Sequence, residues 1–307
     1  IITILSFVAI NYIYVVSKKI FFEEPHYAPI DYAILESKND VIEDKKPSSD
    51  FISLANEMLN IFELHNFDRT TFLNGSYKNL IIFSSLPEDF MNLEPVQIRK
   101  DLFIKTILPI IFLENQKILK ERNKILHWWI DTDDELIKRD FWPQWLKDIS
   151  NKYSYDKDNI GDLLMSVDII PISLVLSQAA IESGWGTSRY AREGNAIFGQ
   201  YTYKQEVGIL PKERPDTESF LVRKFQSLSD STASYIKNLN THYAYKEFRE
   251  ERKKIRMNGQ KLQGYVLSDY LKNYSERKEL YIIDLKKMIN DNNFSEFDEI
   301  YNSSLVD

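Results

Sequence analysis

The run ISLVLSQAAIES at residues 172–183 constrains this chain more than any other stretch. Pro171 suits the first turn of a helix, and Gly184 and Gly186 stop one. Between them only Ser173, Ser177 and Gln178 are polar before Glu182. A helix that is apolar nearly all round has no face for water, so other elements must enclose it. Its one carboxylate lies at the C-terminal end. A helix-terminal Glu is ordinarily a surface group. Here Ile181 and Trp185 desolvate it, the negative helix end disfavours its charge, and no cation adjoins it in sequence. These effects raise the pKa of Glu182 and keep a proton on it near neutral pH. Glycosidic cleavage needs such an acid to protonate the leaving oxygen.

The rest of the pattern supplies the enclosure. Thr187 or Ser188 caps a short helix closed by Gly194, and residues 198–203 and 219–225 read as strands of a small antiparallel sheet, with Pro211 and Pro215 between. Helices return at Ser227, with Asp230 three residues on, and the spacing predicts more over 245–255, 266–274 and 276–289. Upstream, residues 95–129 have helical spacing, and Pro109 must kink or divide that helix. Residues 51–67 suit a helix capped by Ser49 or Asp50, and 80–83 a single strand. No internal repeat is present. The expected fold class is α+β, mainly helical, with a small antiparallel β-hairpin lobe.

Residues 1–16 carry no charge and precede Lys18 and Lys19, and no small-residue cleavage site follows in SKKIFFEEP. A span needs about 20 apolar residues. The expectation is an uncleaved membrane anchor whose start is truncated, against the alternative of a buried core helix. Residues 23–50 are polar without apolar period and read as a linker. The expected organisation is an apolar anchor at 1–22, a linker at 23–50, a helical accessory region at 51–150 and the principal domain at 151–307. The expected location is the inner membrane or periplasmic side of the cell envelope.

Several function classes drop out. A net charge of −7 argues against a nucleic-acid protein dependent on phosphate neutralisation, and the basic run 252–254 reads as a solvated helix face. There is no cysteine, and the nucleotide-binding, zinc-protease and serine-hydrolase motifs are missing. His26, His65, His127 and His242 lack ligand spacing, and His242 reads as a cap or packing residue. A metal enzyme would have to rest on carboxylates alone, so neither metal nor cofactor is expected.

The residues ESGWG at 182–186 followed by NAIFG at 195–199 resemble the signature of the glucosaminidase family, glycoside hydrolase family seventy-three. The likeness is to its Bax-type branch. It extends to YIKNLNTHYAYKEFR from Tyr235, to NYSERKELY from Asn273 and to the helical text upstream, and covers roughly residues 87–290. It implies a lysozyme-like domain with Glu182 as catalytic acid, Tyr274 as a cleft tyrosine expected to share in catalysis by orienting or stabilising the reacting sugar, and Asn195, Phe198 and Gly199 in the turn of the cleft floor. Trp185 is a sugar-stacking candidate with a core role equally open, Tyr201 is placed with the substrate-binding residues, and Glu193 reads as a surface group. The expected function is an endo-β-N-acetylglucosaminidase of bacterial peptidoglycan strands. A muramidase using the same acid, and a catalytically silent glycan-binding envelope module, stay open, although an unneeded buried carboxylate is costly.

The second catalytic group is not marked. Glu206, Glu213, Asp216 and Glu218 lie in or beside the predicted hairpin, but none falls in a matched motif. Phe225 stands where many relatives outside this branch carry Tyr, which removes a phenol. The remaining route is nucleophilic assistance from the substrate's own 2-acetamido oxygen.

Overall fold

The computed structural model describes residues 54–132, 137–211 and 219–301, with the backbone of one strand, β1 (Val41–Glu43). Helices α1 (Ala55–Leu64) and α2 (Arg69–Leu73) and strand β2 (Leu80–Ile82) lead into a 36-residue helix, α3 (Val96–Asp131). Helices α4 (Gln144–Lys152), α5 (Ile160–Ser166), α6 (Ile172–Ser183) and α7 (Arg189–Gly194) follow. Strands β3 (Tyr201–Thr202), β4 (Gly208–Ile209) and β5 (Leu221–Arg223) form an antiparallel sheet in the order β3–β5–β4. Helices α8 (Leu228–Thr241), α9 (Lys246–Met257), α10 (Gly264–Leu267) and α11 (Glu279–Asp291) and a 3-10 segment at Phe294–Tyr301 complete the described chain. The chain is thus mainly helical with a small three-stranded antiparallel sheet.

Several local expectations need correction. Pro109 does not divide α3, because the flanking residues 102–112 bury nearly all their apolar side chains, and that burial outweighs the roughly 3 kcal/mol a helical proline costs. Ser49 and Asp50 lie outside the described residues; α1 starts at Ala55, whose N–H is taken by Asp89 Oδ1 at 2.8 Å. The helix expected over 266–274 is instead α10 and two 3-10 turns, Ser268–Tyr270 and Lys272–Tyr274. Within the stretch read as linker, β1 pairs in parallel with β2. Residues 1–22 lie outside the described residues, and among those described no helix is long and apolar enough to cross a membrane.

Helix α6 is enclosed as its sequence requires: every residue from Ile172 to Ala180 is buried. It packs against α3, α10, α11 and the 3-10 segment. Apolar side chains from 55–153 and from 160–301 form one continuous buried cluster around it. At its N-terminus the buried Asp298 accepts hydrogen bonds from Ser173 N (2.9 Å), Ser173 Oγ (2.6 Å) and Gly264 N (2.9 Å). Burial pushes the Asp298 carboxyl up to about 6 in spite of those donors. Gly264 allows this approach, since a Cβ there would lie 2.7 Å from the Leu174 backbone nitrogen.

The segment entering α6 is held more tightly still. Asp168 is buried and receives Arg256 Nε and Nη2 at 2.5 Å each, with Arg252 Nε at 3.7 Å and Arg122 Nη1 at 3.8 Å. The guanidiniums also donate to main-chain carbonyls: Arg122 to Leu164 and Val167, Arg252 to Met165 and Ile169. The basic run at 252–254 is therefore not a solvated face: Arg252 is 1% exposed, and only its neighbours turn outward. Burial among other arginines brings Arg252 down to about 10. Asp168→Asn, which removes the carboxylate that three buried guanidiniums share, is expected to lower unfolding free energy by about 3–5 kcal/mol. Urea denaturation measures it, and a loss under about 1 kcal/mol would show that the carbonyl bonds suffice to hold the arginines.

Candidate active site

Glu182 lies in the last turn of α6, and Gly184, in the left-handed conformation at φ 58°, ends the helix behind it. The carboxyl is partly buried. Its Oε1 accepts a hydrogen bond from Tyr281 Oη at 2.8 Å. That phenol accepts from Gln178 Nε2 at 2.9 Å, and Gln178 Oε1 accepts from Tyr235 Oη. Gln178 is four residues before Glu182, so both side chains rise from the same face of α6. The relay runs in one direction, Tyr235 to Gln178 to Tyr281 to Glu182.

Four tyrosines make the wall on this side. Tyr274 stacks on Tyr281 with ring centroids 5.5 Å apart and planes 10° apart, and meets Tyr235 edge-on. Tyr245 packs on Tyr274. The Tyr274 hydroxyl donates to the Phe198 carbonyl at 3.0 Å, and the Phe198 ring stacks on Tyr235 at 4.0 Å. This fixes the turn into Gly199, whose φ is 60°. A Cβ at Gly199 would lie 3.5 Å from Glu182 Oε2, so glycine leaves that oxygen bare.

Electrostatics follow from these contacts. Burial raises the Glu182 pKa, and the Tyr281 hydrogen bond lowers it in part, with burial the larger effect. Burial raises Tyr281 first, and the nearby Glu182 charge raises it further; Tyr245 is pushed up to about 12 in the same way. The tyrosines therefore stay protonated as donors. Because Oε1 is engaged as an acceptor, Oε2, beside Gly199, is the oxygen left to carry a proton when the carboxyl is protonated. The arrangement holds one directed proton donor. Among the described residues no group of three His, Cys, Asp or Glu is arranged to hold a metal.

Residues 158–294 match the family model described as glucosaminidase, mannosyl-glycoprotein endo-beta-N-acetylglucosaminidase. Protein bax of Escherichia coli (strain K12) is 35% identical over 207 residues, covering 63% of this chain and 70% of that protein. The chain belongs to the Bax-type glucosaminidase family. No solved structure matches it at a significant level.

In this member of the family the residues singled out from sequence divide into groups. Glu182, Tyr274, Phe198 and Gly199 are brought together, though Phe198 is buried and acts through its ring and carbonyl. Asn195, at φ 52°, closes α7 and donates to the Phe225 and Gln226 carbonyls at 3.3 Å, which binds the turn to the strand beyond. The Trp185 ring is half-buried, packed on Phe103 and Phe294 at the edge of the core with Lys100 Nζ 4.8 Å from its centre. Tyr201 is exposed on β3 against Phe220. Glu206 is exposed in a 3-10 turn, and Glu213, Asp216 and Glu218 lie outside the described residues. His242 is a cap, its Nδ1 accepting from Ala244 N. Sequence reasoning missed Gln178, Tyr235, Tyr245 and Tyr281 as site residues. Gln178 offered a signal, as an amide without evident reason in an apolar helix one turn before the acid.

Tyr281→Phe removes the one interaction that lowers the Glu182 pKa, so the acid should hold its proton to higher pH. The alkaline limb of the pH–rate profile is expected to move up, with kcat reduced by about tenfold through loss of one charge-assisted hydrogen bond. A limb that stays in place, measured on wall glycan across pH 4–9 (a range of about five units around ordinary carboxyl and histidine values), would separate Tyr281 from the acid.

Proposed function

We propose that this protein is an endo-β-N-acetylglucosaminidase of bacterial peptidoglycan, built on a lysozyme-like domain, with Glu182 as general acid. One observation carries the reading: a single carboxyl, raised in pKa by burial, is clamped on Oε1 by Tyr281 and bare on Oε2 beside Gly199. Membership of a glycosidase family supports the reaction class.

As the glycosidic C–O bond breaks, the Oε2 proton passes to the leaving oxygen. The substrate's 2-acetamido oxygen attacks the anomeric carbon, and water later opens the cyclic intermediate. An intramolecular nucleophile has a large effective molarity, and it suits a site whose only described hairpin carboxylate candidate, Glu206, faces solvent. Tyr274 enters as a positioning residue, since its hydroxyl proton is committed to the turn beside the acid. A muramidase would use the same acid on the other bond, and mass spectrometry of the released ends distinguishes the two. The location that fits this substrate is the cell envelope, with residues 1–22 as tether. Recovery of a shortened, soluble form from cells making the full-length protein would overturn the tether.

Glu182→Gln is expected to keep the fold and glycan binding while lowering turnover about 10²- to 10⁴-fold, the usual worth of a positioned general acid. Single replacements of Glu206, Glu213, Asp216 and Glu218 should leave most activity, and de-N-acetylated glycan should resist cleavage. Near-wild-type turnover in Glu182→Gln on a cell-wall zymogram ends the assignment, and a hairpin variant as inactive as Glu182→Gln restores a two-carboxylate scheme.

A further inference from the structure

A groove of about 600 Å³ runs along the outer face of α8. The sheet lobe bounds it on one side through Gln200, Tyr201 and Arg223, and the opposite rim carries Glu114 of α3 and Lys152 at the end of α4. Lys237 of α8 stands in its floor. Gln200 follows Gly199 directly, so the groove opens one residue from the turn that faces Glu182 Oε2.

Its chemistry differs from that of the tyrosine wall. Three cations line it against one carboxylate, in a chain whose net charge is −7. Lys152 is bonded to Glu121 at 2.6 Å and Glu114 to Lys117 at 2.7 Å. Arg223 and Lys237 are exposed, and neither is ion-paired among the described residues. Arg223 reaches across from β5 to Ser234 Oγ of α8 at 3.4 Å, its guanidinium lies 4.9 Å from the Phe225 ring centre, and it lines the groove. Gln200 Oε1 is buried without a hydrogen-bond donor, a deficit that a ligand N–H relieves once the Gln200 amide turns into the groove it lines. The Tyr201 ring, 65% exposed, offers an apolar face at the same end.

A complementary ligand carries an amide N–H for Gln200, a carboxylate for Arg223 and Lys237, and small apolar groups for Tyr201. A plain N-acetylhexosamine chain has the amide but no charge. A peptide branch attached through a lactyl ether to the glycan has both within a few bonds. We infer that this groove binds the carboxylated peptide branch of the wall glycan next to the cleaved bond. This rests on the peptidoglycan reading above and deepens it: the enzyme is specific for peptide-bearing strands.

The test measures binding, with Glu182→Gln as background so that no ligand is consumed. Titration calorimetry compares N-acetylmuramyl-L-alanyl-D-isoglutamine, which is carboxylated, with neutral triacetylchitotriose. The carboxylated ligand should bind more tightly, and Arg223→Gln and Lys237→Gln should each weaken it by about tenfold, roughly the worth of one charge-assisted hydrogen bond. Binding of the neutral trimer should not change, and higher salt should weaken only the carboxylated ligand. Both replaced side chains are exposed, and thermal unfolding checks that the variants fold. Unchanged affinity for the carboxylated ligand, equal losses for both ligands, or no preference in the parent would each overturn the inference. A protein that shows the expected selectivity yet never cleaves wall glycan would instead sink the catalytic proposal and leave the groove assigned.

Discussion

One buried carboxylate, Asp168, sets where the helix that carries Glu182 begins. Three guanidiniums from two helices, α3 and α9, converge on it and on the carbonyls around it. Burying these charges is expensive, and only near-complete satisfaction of their donors makes it tolerable. Asn240 adds a bond from α8 to the Asp168 carbonyl at 2.8 Å, and Asn115 of α3 pairs with both backbone groups of Ile170. Polar contacts with directional demands thus lock the four residues before α6, where apolar packing alone would permit sliding. On the other side of the helix start, Asp298 ties Ser173 to the backbone of Gly264.

With its start fixed, α6 delivers Glu182 to one place ten residues later, as the last residue but one of the helix. The surroundings there are tyrosines, and this choice has consequences for the acid. A cation beside Glu182 would hold it ionised at neutral pH. Phenols whose own pKa values are raised supply a hydrogen bond and apolar ring surface without a compensating charge. Burial therefore prevails over the single Tyr281 bond, and the carboxyl stays above its ordinary range. The relay through Gln178 adds orientation: it engages one carboxyl oxygen and leaves the other beside Gly199.

The long helix α3 belongs to the same assembly. Its Asn115 and Arg122 are buried polar residues, and both reach the segment before α6. Its other flank forms one rim of the cationic groove. The region ahead of the family match is thus tied to the site's support, because the core cluster runs through both without a break.

The sequence by itself determined the helix that must be buried, its two ends, the single carboxylate upon it, and the small sheet that follows. Those features are local: apolar periodicity, a proline and two glycines, and aromatic or β-branched runs between turns. It also carried the family signature, whose residues lie close together in the chain. Only the tertiary structure decided what surrounds Glu182, because Tyr235, Tyr274 and Tyr281 come from distant elements and an isolated tyrosine in a sequence looks the same in a core or a cleft. It packed Trp185, half-buried, against Phe103 and Phe294 at the edge of the core. It also buried Arg252 from a run of charges that resembled a solvated face. A charged residue goes inside only when its partners are already there, and those partners, Asp168 and the carbonyls beside it, lie more than eighty residues away.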